Sequence, residues 1–181
     1  MEASYHNFAD QRKILGIPNA LNVISNVFLA MAGLLGLLFL LNKEAMKRGG
    51  PFMETWERLA FLVMFIGTGL TALGSAYYHL APNNSKLFWD RLPMTIVFMS
   101  LLSIVIAERI SLPAGRHLFL PLMAMGIGSV VYWHLNEIRG VGDLRFYGLV
   151  QFFPMLAIPL MLFLFPARYT RTADFLGAVG W

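Results

Sequence analysis

No cysteine occurs among the 181 residues. That excludes disulfides and thiolate metal sites, so any metal would sit on nitrogen and oxygen donors. Charge is scarce as well: 13% of the residues are Asp, Glu, Lys or Arg, against roughly a quarter in a soluble domain. Apolar residues take the space, at 57% of the chain with a mean hydropathy of +0.62. They are gathered into long runs between short polar stretches, which reads as an integral membrane protein surrounded by bilayer lipid. The net charge of +4 is spread over short loops with no basic face, so no nucleic acid partner is expected. The start, "MEASYHNFADQRK", mixes acidic with basic residues and is not a cleavable signal peptide. No linker or low-complexity stretch divides the chain, and 1–181 reads as a single domain.

Five apolar runs, at about 20–41, 59–78, 92–107, 118–133 and 146–165, predict an all-α polytopic transmembrane bundle. The third and fourth are short against the roughly 20 residues that cross a bilayer, so each is expected to borrow a turn from its flanks. Pro93 and Pro121 then fit first-turn positions, where a missing N–H costs nothing. Pro154 and Pro159 are expected to kink the fifth run and Pro166 to end it. A partial sixth run, "TADFLGAVGW" at 172–181, is too short to cross, and the reading favours a chain cut short of a longer protein. Alternation sorts the loops by side. Arg12, Lys13, Lys86, Arg91, Arg139 and Arg145 fall on the N-terminal face. Lys43, Lys47, Arg48, Arg58, Arg109, Arg116, Arg168 and Arg171 lie opposite, a bias of eight to six that leans towards an N-terminus outside the cytoplasm.

The same sorting gathers His6, Asp10, Asn19, Asn22, Ser75, His79, Asp90, His134, Glu137 and Asp143 on or near the N-terminal face, leaving His117 alone opposite. Ser75 and His79 stand four residues apart and so share one helix side. The turn chemistry of "APNNS" reverses the chain before Asp90, which falls near the start of the next helix where the dipole favours a carboxylate. A neutral imidazole suits zinc, a nearby carboxylate can take a proton from water, and a hydroxyl can donate to a developing oxyanion. A Ser-His-Asp triad fits poorly, because no strained nucleophile turn precedes the serine. The plainer alternative is a serine bonded to its own helix, with histidine and aspartate facing interfacial water. Ionisable groups at membrane depth are functional candidates by default, and three in one helix hairpin strengthen that reading.

Two further polar groups stand out as a possible secondary site. "NALNVISN" sets Asn19, Asn22 and Asn26 at helical spacing, with hydrogen bonding between helices as the plain account. "WHLNEIRGVGDLR" sets His134 three residues before Glu137, with a solvated loop and a salt bridge as its plain account. The glycines of "FIGTGLTALGS" follow no strand and point to close helix packing rather than a phosphate loop.

The stretch "GSAYYHLAPNNSKLFWDRLPM" resembles the alkaline ceramidase family, part of a superfamily of seven-helix membrane zinc hydrolases that includes progestin/adiponectin-receptor-like proteins. The spacing Ser-x3-His-x10-Asp followed by Leu-Pro-Met carries the likeness. "NALNVISN" and "GDLRFYGLVQFFPML" extend it over most of the chain. The resemblance implies a zinc amidase that cleaves the N-acyl bond of ceramide-like sphingolipids. It implies His79 as one zinc ligand, with Ser75 and Asp90 as catalytic residues and Asp90 as proton acceptor. The chain departs from the family at the His-x3-His pair of the last helix, because no two of its four histidines are four apart. Two zinc ligands are therefore missing, and the chain alone is expected to be inactive or a weak metal binder. Calcium, which animal members bind, is not expected, because most of the carboxylates for it are missing here. The expected location is a bacterial inner membrane. The alternatives are a receptor-like or haemolysin-like relative acting on another lipid, and a non-enzymatic helical membrane protein.

Overall fold

The computed structural model describes residues 3–8, 10–42, 52 and 54–168, so the partial sixth run at 172–181 lies outside the described residues. A short 3-10 turn at Ala3–His6 precedes five helices: α1 (Ala20–Leu41), α2 (Thr55–Leu80), α3 (Asn84–Arg109), α4 (Leu112–Ile138) and α5 (Arg145–Leu164). All five are long and apolar enough to cross a membrane, and no strand occurs among the described residues.

Local chemistry fixes the helix ends. Asp10 Oδ2 accepts the Leu21 N–H at 3.0 Å, which satisfies a first-turn donor of α1. A capping box starts α2, where the Glu54 N–H donates to Glu57 Oε2 at 2.7 Å. Asn83 caps α3 by accepting the Lys86 N–H at 2.9 Å, and Ser111 with Pro113 opens α4. Arg58 donates to the Leu40 carbonyl at 2.9 Å and closes the far end of α1.

Helices α3 and α4 reach well beyond the apolar runs. Pro93 and Pro121 are therefore helix-interior residues, not first-turn residues. The physical reason is that "SKLFWDR" is helical although polar: its caps and aromatic side chains suit a membrane interface, where a hydropathy window sees only a loop. α5 carries Pro154 and Pro159 inside it and ends at Leu164, just before Pro166.

The central element is α3, which packs against α2, α4 and α5, whereas α1, among the described helices, rests on α2 alone. Its buried face includes Thr95, Met99, Leu102, Ser103 and Val105. Gly115 lets α4 approach so closely that an added Cβ would lie 2.7 Å from the Ser103 carbonyl oxygen. At the far end, the buried Glu108 and Arg109 side chains meet at 2.5 Å. Arg109 donates to the Phe165 carbonyl at 3.2 Å, and Glu108 accepts the Arg168 N–H at 3.0 Å. That cluster ties the exit of α5 to the end of α3.

Candidate functional site

The last turns of α2 and the first turns of α3 form one corner, linked by Ala81, Pro82 and Asn83. Their approach depends on two residues. Pro93 has no N–H for the Trp89 carbonyl one turn back. Gly74 packs against that same carbonyl, and a Cβ on Gly74 would sit 2.1 Å from its oxygen. The two backbones therefore nearly touch where Ser75 and Asp90 begin.

The Ser75 hydroxyl and the His79 imidazole both lie within electrostatic reach of the Asp90 carboxyl. His79 and Asp90 open onto a cavity of about 370 Å³. Met94 and Arg91 of α3, Tyr147 and Gln151 of α5, and Tyr5 and Phe8 of the N-terminal segment complete most of its wall. His79 Nδ1 and Asp90 Oδ1 are both buried without a hydrogen-bond partner among the described residues. Unpaired polar atoms at membrane depth are costly, so both favour an incoming polar group. The His79 ring packs against Phe8 at 4.6 Å and Tyr78 at 5.2 Å between centroids, and those two rings meet each other at 5.6 Å.

Beside Asp90, the buried Arg91 guanidinium lies 4.4 Å from the Trp133 ring and 4.6 Å from the Tyr147 ring, and it donates to the Tyr5 hydroxyl at 3.1 Å. Aromatic faces offset the loss of water around a cation. Sequence reading assigns Arg91 to a loop and leaves Tyr5, Phe8, Tyr147 and Gln151 without a role. Their only signal was the sidedness that also gathered His6 and Asp10.

The secondary polar residues divide. Asn19 donates to the His79 backbone carbonyl at 2.8 Å and so joins the site from α1's cap. Asn22 does not line the cavity; its carbonyl serves Ser25 and Asn26 within α1. His134 stacks on Phe88 at 4.8 Å, and Glu137 accepts the Asn84 side-chain amide at 2.7 Å; neither reaches the cavity. The salt bridge of that region is Asp143 with Arg145 at 2.8 Å, and the guanidinium holds the Asp143 carboxyl well below the usual carboxylate range. His117 is exposed on the opposite side.

The orphaned Nδ1 and Oδ1 atoms are suitable donors for a divalent ion. A catalytic zinc usually takes three protein ligands, and among the described residues no group of three His, Cys, Asp or Glu side chains could hold a metal. The described donors therefore do not make a complete zinc site.

In comparisons with known proteins, no curated protein and no solved structure matched the chain. The family model described as ceramidase matches residues 15–163, a stretch that includes Ser75, His79 and Asp90, and the chain belongs to that family.

Proposed function

We propose that this multi-pass membrane protein hydrolyses the N-acyl amide bond of a ceramide-like lipid at the α2–α3 corner. The observation that carries the reading is the pair of buried atoms, His79 Nδ1 and Asp90 Oδ1, unpartnered among the described residues, on side chains that line one cavity with Ser75 close by. In this reading the Ser75 hydroxyl holds the carboxyl and leaves Oδ1 open. Asp90 then takes a proton from the attacking water and delivers it to the departing amine nitrogen. Ser75 lies beside the carboxyl, so in this reading it positions the base instead of attacking the substrate. Aromatic walls from Tyr147, Tyr5 and Phe8 suit an amphipathic lipid whose head is polar and whose chains are not.

Zinc, the ion that the family resemblance implies, would supply Lewis acidity at His79. The described residues offer it too few donors for any step to be routed through it. A bacterial inner membrane is the setting this reading favours.

The test is hydrolysis of an N-acyl sphingoid base by the purified chain in vesicles, which sets this reading against the expectation from the missing His-x3-His pair that the chain alone is inactive or a weak metal binder. His79→Ala and Asp90→Asn are each expected to lower the rate about 10²-fold or more, with helix content and thermal unfolding unchanged. Undiminished hydrolysis in both variants rejects the site, and hydrolysis insensitive to chelator rejects the metal. Turnover of other lipids with ceramide spared would move the substrate to another lipid class.

A further inference from the structure

We infer that residues 3–8 form a positioning strap for the His79 imidazole, fastened through His6; the inference rests on the hydrolase reading above for its kinetic consequence. His6 Nδ1 lies 2.8 Å from the Tyr78 hydroxyl, and His6 Nε2 lies 2.7 Å from Asn84 Oδ1. Asn84 in turn donates its amide to Glu137 Oε1 at 2.7 Å. One chain of hydrogen bonds thus joins the strap to α2, α3 and α4.

Its direction follows from the chemistry of each group. An ionised glutamate only accepts, so the NH₂ of Asn84 must face Glu137, and its carbonyl oxygen must face His6. An amide oxygen also only accepts, so His6 Nε2 carries the hydrogen. With a single ring hydrogen, on Nε2, the imidazole presents its Nδ1 lone pair to the Tyr78 O–H. An amide in the middle does not pass a proton onward, and the chain therefore holds rather than relays.

What it holds is the cluster of aromatic rings around His79. A functional imidazole is normally oriented by a hydrogen bond at its second nitrogen. Among the described residues no hydrogen bond orients either ring nitrogen of His79, so the ring depends on its packing against Phe8 and Tyr78, whose rings also meet each other at 5.6 Å between centroids. His6 secures both, Tyr78 through its hydroxyl and Phe8 by standing two residues away along the strap. His6 is a positioning residue, and it touches neither Ser75 nor Asp90 in any described contact.

An imidazole with one ring hydrogen contributes one donor and one acceptor to this chain, and a glutamine side chain can reproduce both. The experiment compares wild type, His6→Ala, His6→Gln and Asn84→Ala as full chains in lipid vesicles. Side chains are labelled with ¹³C-histidine, and the His79 ring signal is assigned by its loss in His79→Gln. His6→Ala and Asn84→Ala are expected to shift or broaden the His79 signal and to lower kcat about tenfold with KM changed less than twofold. His6→Gln is expected to restore both. An unchanged His79 signal in His6→Ala overturns the strap, and a glutamine variant that behaves like alanine overturns the directed chain. If wild type hydrolyses nothing, the hydrolase reading falls, and the ring signal still decides whether His6 holds His79.

Discussion

Single residues at the N-terminal face act through what they cap or cage. Asp10 accepts the Leu21 N–H and pairs with Arg12 at 2.6 Å, and the Arg12 guanidinium holds its carboxyl below the usual carboxylate range. The folded value lies below the unfolded one, so the contribution to stability is present above the unfolded value of about 3.9 and fades as the pH falls through the folded value. Asp10→Asn is therefore expected to flatten the acid side of the stability profile below about pH 4, read as thermal unfolding midpoints in detergent. Neutral-pH stability should change little, because water screens an ion pair at the surface. Asp90 was legible beforehand because a carboxylate at the edge of an apolar run is conspicuous. Arg91 was not, since a lone arginine beside it looks like any loop cation until Trp133 and Tyr147 are seen around it.

At the scale of the element, the α2–α3 hairpin is held by a glycine against a carbonyl. Replacing glycine by alanine within a helix ordinarily gains up to about 1 kcal/mol. At Gly74 the new methyl would lie 2.1 Å from the Trp89 oxygen, and that atom belongs to backbone that cannot swing aside. Overpacking of this kind costs about 1–3 kcal/mol, which outweighs the propensity gain and separates Ser75 from Asp90. Gly74→Ala is expected to lower both the unfolding midpoint and the hydrolysis rate. Gly69→Ala on the same helix, where an added Cβ meets nothing within 4 Å, should leave both intact or raise the midpoint. The glycine-rich stretch announced close packing. Pro93 was misread as a first-turn residue, because aromatic and charged interfacial turns dilute the hydropathy that marks a helix.

For the whole molecule, five apolar runs were enough to read an all-helical membrane bundle, since each bilayer crossing must satisfy its own backbone. Which helix lies at the centre was not readable, because α3 is less apolar than α1, α2 and α5 and its burial comes from contacts with three neighbours. The strap was also hidden: His6 meets partners 72 and 78 residues away, and such pairings leave no periodic trace. The central helix is engaged at both ends, by Ser75 beside Asp90 and by the buried cluster of Glu108, Arg109, Phe165 and Arg168. One alanine inserted after Val97 would turn one end against the other by about 100° and lengthen it by about 1.5 Å. Either lipid hydrolysis or the unfolding midpoint is then expected to collapse. The outcome shows which clasp the rod keeps when it cannot keep both. The two membrane faces answer to a single angular setting, so a change of phase made at one is registered at the other.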